Sequence, residues 1–219
     1  MLTFNDIKND REISTYIRKA DDAMCAIGYT EHSFPHVLKC ADQAAFILNA
    51  LDYPPRVAEL ARIAGYLHDI GNVINRQDHA HSGAVMSFQL LHSRGMDPEE
   101  LATVACAIGN HDEATGAPIN AVAAALILAD KSDVRRSRVR NADYLTSDIH
   151  DRVNYAVEES SLALDTAGMN IALRLTIDTG QNVVMDYFEI FLSRMLFCRR
   201  AAEYLNMCFN LVINDVELL

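Results

Sequence analysis

The sequence is short of the residues that interrupt regular structure. Its 219 positions hold five prolines and nine glycines, while half are hydrophobic. That excludes a disordered chain and leaves an ordered one, either a single domain or a domain with a small appendage. Long apolar runs are missing as well. None reaches the roughly 18 residues that a membrane span needs, and Met1 to Asp10 is polar, without the apolar core of a signal peptide. A cytoplasmic location without membrane association is expected. The five cysteines (Cys25, Cys40, Cys106, Cys198, Cys208) are odd in number and scattered. They lack zinc-type spacing and read as buried thiols in a reducing cytosol. Positive charge is scarce: 19 Lys and Arg stand against 30 Asp and Glu, a net charge of −11. A chain without a basic face is not suited to general nucleic-acid binding. No Ser-His-Asp arrangement, phosphate-cradling glycine loop or dinucleotide fingerprint is found, and no internal repeat or long linker.

What remains is mostly helical periodicity. Apolar spacing predicts helices over 6–27, 36–51, 55–69 and 79–93, then from Asp97-Pro98-Glu99 to about Gly109, and over 119–132 and 147–160. In 36–51 the stripe is Val37, Cys40, Ala41, Ala44, Ile47, Leu48 and Leu51. The helix over 119–132 is Ala-rich at its centre, which suits close packing in the middle of a bundle. The last third changes character. Residues 172–178 and 208–214 alternate apolar and polar, the period of half-buried strands, and a helix over 183–205 separates them, after a turn at Thr179-Gly180. The expected fold is mostly α: a helical bundle over 1–165 and a small α+β appendage over 166–219, strand-helix-strand, forming a two-stranded sheet or adding to a partner's sheet.

The polar residues at helix ends carry the chemistry. His68-Asp69 closes one helix, and a neutral imidazole beside a carboxylate suits iron, manganese or zinc. His36 begins a helix, His79 begins another and His111 follows a third. Asp130 sits near the end of a helix otherwise made of Ala, Leu, Ile and Val. A carboxylate on such a face must be paired, metal-bound or turned to solvent. The bland alternative is a chance set of helix-capping residues. His81 competes with His79 by placement, and His32 reads as a loop or pocket-rim residue. Asp112 and Glu113 could orient a ligand or simply mark a polar helix exit. Lys131, Arg135, Arg136, Arg138 and Arg140 concentrate positive charge just after Asp130, and Arg76 lies between His68-Asp69 and His79. Guanidinium forks suit phosphate oxygens; the competing reading is a solvated charged face.

Five places agree in order and context: His36 with Cys40-Ala41, Leu67-His-Asp-Ile-Gly71, His79 with Gly83-Ala84, Asn110-His111, and Leu128-Ala-Asp-Lys131. Together they resemble the HD-domain metal-dependent phosphohydrolase superfamily over about residues 30–140, and the extra His79 and His111 resemble its dinuclear branch. The resemblance implies an HD-domain helical bundle. It implies that His36, His68, Asp69 and Asp130 hold one metal and His79 and His111 a second, with Asp69 bridging. Asp69 and His68 would be catalytic, and Lys131, Arg76 and Arg135 would contact substrate. The cofactors implied are two divalent ions, iron or manganese first, with cobalt, nickel, zinc and magnesium open. The activity implied is hydrolysis of a phosphate ester or anhydride of a small molecule, a nucleotide first, by metal-activated water. Asn72 departs from the pattern: many members carry a lysine there, and Arg76 or Lys131 are candidates to replace its phosphate contact.

Two other functions fit the same residues. The ligand set would also serve a di-iron HD-domain oxygenase, and the fold would serve a non-catalytic nucleotide-binding regulatory module. The expected partner is a small phosphorylated substrate, with no nucleic acid and no membrane, and with a homodimer allowed.

Overall fold

The computed structural model describes residues 1–140, 149–178 and 183–218. It opens with α1 (Phe4–Lys8), held by a reciprocal cap between Thr3 and Asp6, and α2 (Arg11–Ala26). The single helix expected over 6–27 is therefore two. Asp10 sits in extended backbone and accepts from the Glu12 and Ile13 N–H groups, so it starts a new helix rather than continuing the old one. Next come α3 (Phe34–Ala50) and α4 (Pro55–Leu67), each with proline in its first turn, where the missing N–H costs nothing. They are followed by α5 (His79–Ser93) and α6 (Pro98–Gly109), the latter capped by Asp97. Then comes α7 (Ala121–Lys131), whose N-cap Asn120 accepts from the Ala123 N–H and sets the start two residues later than the apolar pattern implies.

Helix α7 is the axis of the molecule. Val122 through Ala129 are all buried, and the helix packs on α3, α4, α6 and α9 (Val183–Tyr204). Small alanine side chains let four neighbours approach one helix, and each apolar side chain removed from water contributes roughly 25 cal/mol per Å². Around it, α3 and α4 pack so closely that a Cβ on Gly65 would lie 2.7 Å from the Ala41 Cα. That crossing sets the end of α4 beside the start of α3.

After α7 a short 3-10 turn, Arg136–Arg138, leads on, and α8 (Ile149–Ala156) runs directly into β1 (Val157–Asp165). The helix expected over 147–160 thus ends at 156, and its last four residues are strand. The sequence Val157-Glu-Glu-Ser-Ser161 has no strong strand signal of its own. What makes it a strand is antiparallel pairing with β2 (Asn170–Ile177), and tertiary pairing overrides weak local preference. Helix α9 then crosses over to β3 (Cys208–Ile213), which lies parallel to β2. A final antiparallel strand, β4 (Val216–Glu217), follows a two-residue turn in which Asn214 and Asp215 both have positive φ, 49° and 64°. The sheet order is β1-β2-β3-β4, four strands among the described residues where two were expected, and β1 lies before residue 166, inside the span expected to be helical bundle. The turn expected at Thr179-Gly180 lies outside the described residues. One hydrophobic core runs through both parts, joining Leu126 of α7 to Leu173 of β2 and Phe191 of α9. Among the described residues no helix is long and apolar enough to cross a membrane.

Candidate metal centre

Five segments bring their ends to one point. His36 lies in the first turn of α3 and His68 caps the C-terminus of α4, with Asp69 directly after it. His79 is the first residue of α5, His111 follows α6, and Asp130 is in the last turn of α7. The approach of α5 depends on Gly71, in the 3-10 turn Ile70–Val73. A Cβ there would lie 2.0 Å from the His79 carbonyl oxygen and 2.5 Å from the Gly83 nitrogen. Only glycine lets the chain after Asp69 rest against the start of α5, and this contact is what carries His79 to Asp69.

The side chains form two groups that share Asp69. On one side, Asp69 Oδ2 lies 3.5 Å from His36 Nε2 and 3.2 Å from His68 Nε2. Asp130 Oδ1 lies 3.4 Å and 3.6 Å from the same two nitrogens. On the other side, Asp69 Oδ1 lies 3.5 Å from His79 Nε2 and 4.0 Å from His111 Nε2. The Nε2 atoms face each other in pairs, 3.3 Å apart for His36 and His68 and 3.1 Å for His79 and His111. His36, His68, Asp69, His79 and His111 are buried, and Asp130 is 12% exposed at its side chain. His81, the competitor of His79, points to solvent with 57% of its side chain exposed.

The other ring nitrogens decide what this arrangement can do. His68 Nδ1 is 2.8 Å from the Gly65 carbonyl, His111 Nδ1 is 2.6 Å from that of Ile108, and His79 Nδ1 is 3.1 Å from that of Arg76. His36 Nδ1 is 2.8 Å from Asp133 Oδ2. A carbonyl or carboxylate can only accept, so each Nδ1 carries a hydrogen, and a ring that gives up its second proton to a metal presents a lone pair at Nε2. Four such lone pairs and two carboxylates converge on a buried volume, a donor set that fits divalent transition-metal ions. In two subsets, His36 with Cys40, His68 and Asp130, and His68 with Asp69 and His111, one ligand atom from each residue lies within 4.8 Å of the others.

Electrostatics point the same way. Burial would push the His68 imidazole down, but the charges of Asp69 and Asp130 outweigh it and hold it up at about 10. His36 is raised as well, with burial and Arg138 overcome by Cys40, Asp130 and Asp133. Burial, joined by repulsion from His68, pushes His111 well below its ordinary value, and burial also lowers His79. Burial works against charge on the two aspartates, yet His68 beside Asp69 and Lys131 beside Asp130 keep both carboxyls well below the usual range. Ionised carboxylates in a closed site draw positive charge toward the Nε2 atoms, which is the condition a bound cation meets.

The surroundings sort the basic candidates. A cavity of about 320 Å³ opens onto Asp69, His79, His111 and Asp130 and is lined also by Tyr29, His32, Arg76, Lys131, Arg138 and Arg194. Arg76 stands 4.0 Å from Asp69 Oδ1. Lys131 also faces the cavity, but its ammonium is clamped between Asp130 Oδ2 and Glu113 Oε2, 2.8 Å from each. Arg135 is not among the lining residues; its guanidinium is spent on Asp133 and Glu31. Asp112 lies 3.7 Å from His79 Nδ1, and His32 is a buried part of the cavity wall.

Two polar residues matter more than their sequence context suggests. Asp133 is fully buried at its side chain and receives His36, Lys39 at 2.8 Å and Arg135 at 2.9 Å. The available signal was its position three residues after Asp130, just past the end of α7. Asn72, where the sequence departs from the resemblance, donates its amide to the Asp69 carbonyl at 3.0 Å and to Asp69 Oδ1 at 2.9 Å. It steadies the shared carboxylate instead of reaching outward. Arg194, in contrast, carries no local signal at all, since it comes from α9, far along the chain.

No curated protein and no solved structure matches this chain. The HD domain family does match, over residues 34–146, more than half of the chain and a span that contains all six candidate ligands. On that match and this cluster, the chain belongs to the HD domain family, a superfamily of metal-dependent phosphohydrolases.

Proposed function

We propose that the chain hydrolyses a phosphate ester or anhydride of a small molecule, first of all a nucleotide, with two divalent ions. His36, His68, Asp69 and Asp130 would hold one ion, and His79, His111 and Asp69 the other. The observation that carries this reading is the division of Asp69, with Oδ2 toward His36 and His68 and Oδ1 toward His79. Iron and manganese suit the histidine-carboxylate set best, and cobalt, nickel, zinc and magnesium remain alternatives. When bound, such ions supply a hydroxide at neutral pH and offset charge on the phosphoryl oxygens.

The protein's own groups supply position. Asn72 fixes Asp69 Oδ1, Lys131 holds Asp130 Oδ2 so that Oδ1 turns to the histidines, and Asp133 holds the His36 ring. Arg76 presents a guanidinium beside the shared carboxylate, placed to meet a phosphate oxygen in the role the missing lysine leaves open. Phosphoryl transfer asks mainly for positioning and charge compensation. The cavity of about 320 Å³ is at the small end of ligand sites. With an acidic chain around it, that favours a small substrate over a polymer, and at its wall the Arg76 guanidinium lies over the Tyr29 ring, 5.5 Å from its centre.

A screen of metal-loaded protein tests this. Phosphomonoesters, cyclic dinucleotides and dinucleoside polyphosphates would be offered with iron, manganese, cobalt or nickel. Turnover that disappears in His68→Ala and Asp69→Ala is expected. No turnover with any metal and any substrate would defeat the reading, and oxygen consumption in its place would favour the oxygenase.

A further inference from the structure

We infer that Arg194 of α9 is an anion-binding residue of this cavity, so that the C-terminal appendage completes the substrate site. The inference rests on the phosphohydrolase reading and adds to it the residue that grips the phosphate.

Four cations line the cavity: Arg76, Lys131, Arg138 and Arg194. Two of them are already committed. The Lys131 ammonium lies between two carboxylates at 2.8 Å each. Arg138 donates through Nε to the Glu31 carbonyl at 3.0 Å and through Nη1 to the Asp133 carbonyl at 3.0 Å, tying the loop before α3 to the end of α7. Arg76 gives Nη1 to Asn72 at 3.4 Å, a long bond. Arg194 resembles Arg76, whose guanidinium carbon lies 5.5 Å from the centre of the Tyr29 ring, and differs from the two committed cations. Its Nε donates to Glu113 Oε1 at 2.9 Å, and its guanidinium carbon sits 4.7 Å from the centre of the Phe191 ring. Both contacts hold the group in place. Its two terminal nitrogens have no hydrogen-bond acceptor among the described residues, and the residue is part of the same wall as Asp69, His79, His111 and Asp130.

A guanidinium anchored through Nε and one ring face, with the Nη edge unspent, is set up to meet a two-oxygen acceptor. Glu113, which anchors it, follows His111 by two residues and also binds Lys131. The position of Arg194 is therefore tied to the candidate metal centre through one carboxylate. Arg194 lies outside the span of residues 34–146 that matches the family. The chain thus brings from its appendage a cation that the helical part lacks at Asn72. The ligand recognised is a phosphoryl dianion, whether on a substrate or as free phosphate product.

Calorimetric titration of inorganic phosphate into metal-loaded wild type, Arg194→Gln and Arg194→Lys tests this. Bound metal and thermal midpoint would be measured on each. Arg194→Gln should bind phosphate about tenfold or more weakly, the loss of a charge-assisted hydrogen bond or two, with metal content unchanged. Arg194→Lys, which keeps the charge but not the fork, should fall between. If wild type and Arg194→Gln bind phosphate equally, the inference is overturned and the phosphohydrolase reading stands. If wild type binds no phosphate, both fall.

Discussion

At the scale of single residues, the centre is arranged by the partners of its ligands as much as by the ligands. Asp133 shows this most clearly. Its carboxylate takes the Nδ1 hydrogen of His36 and is itself held by Lys39 and Arg135. Asp133→Asn should keep the fold and weaken metal binding about 10–100-fold, as removal of such an outer partner does elsewhere; chelator competition measures it. The thiols give a second check. Burial pushes Cys198 up to about 12, so at pH 8 it is protonated and unreactive. Together with the buried Cys40 it should resist an aromatic disulfide reagent until the protein unfolds, while the exposed Cys25, Cys106 and Cys208 react at once. Immediate reaction of all five would contradict the packing. Three of the five thiols are thus exposed, although the sequence reads them as buried: Cys25 and Cys106 lie off the buried faces of α2 and α6, and Cys208 is the exposed first residue of β3. The six ligand candidates were legible because histidines and aspartates at helix ends are few and ordered along the chain. Arg194 was not, because its importance lies in what it touches.

At the scale of elements, the helices from α3 to α7 follow from apolar spacing, prolines at their starts and polar caps, all of them local. What went unread is non-local or hidden in a single cap. The break between α1 and α2 rests on one side chain, Asp10. Strand β1 exists because β2 pairs with it, and β4 because Asn214 and Asp215 form a tight turn. The decisive element for the site is the 3-10 turn Ile70–Val73, through Gly71. Gly71→Ala would force the backbones apart, with an expected loss of about 1–3 kcal/mol or more in chemical denaturation. Because the displaced segment is the start of α5, the variant should also lose the ion assigned to His79 and His111 before the other. Full occupancy of both in a stable Gly71→Ala protein would show that the contact does not position the site.

At the scale of the molecule, the helical part and the appendage share one core, with Phe191 and Leu173 packed in the same cluster as α7. A single cooperative unfolding transition is therefore expected, and Phe191→Ala should lower it for the whole chain, by about 3–5 kcal/mol for a buried aromatic. Two separate transitions would refute a shared core. That continuity is also what allows a residue of α9 to line a cavity walled by the loop before α3 and by α5, α7 and α8. The central claim is that Asp69 is shared by two ions, and metal stoichiometry tests it most directly. Protein purified without chelator and supplied with iron or manganese should contain about two ions per chain by mass spectrometry of the metal, since the two oxygens of Asp69 face separate pairs of histidines. Asp69→Ala should contain almost none. A wild-type protein that takes up one ion or none, or an Asp69→Ala variant that still holds two, would contradict it.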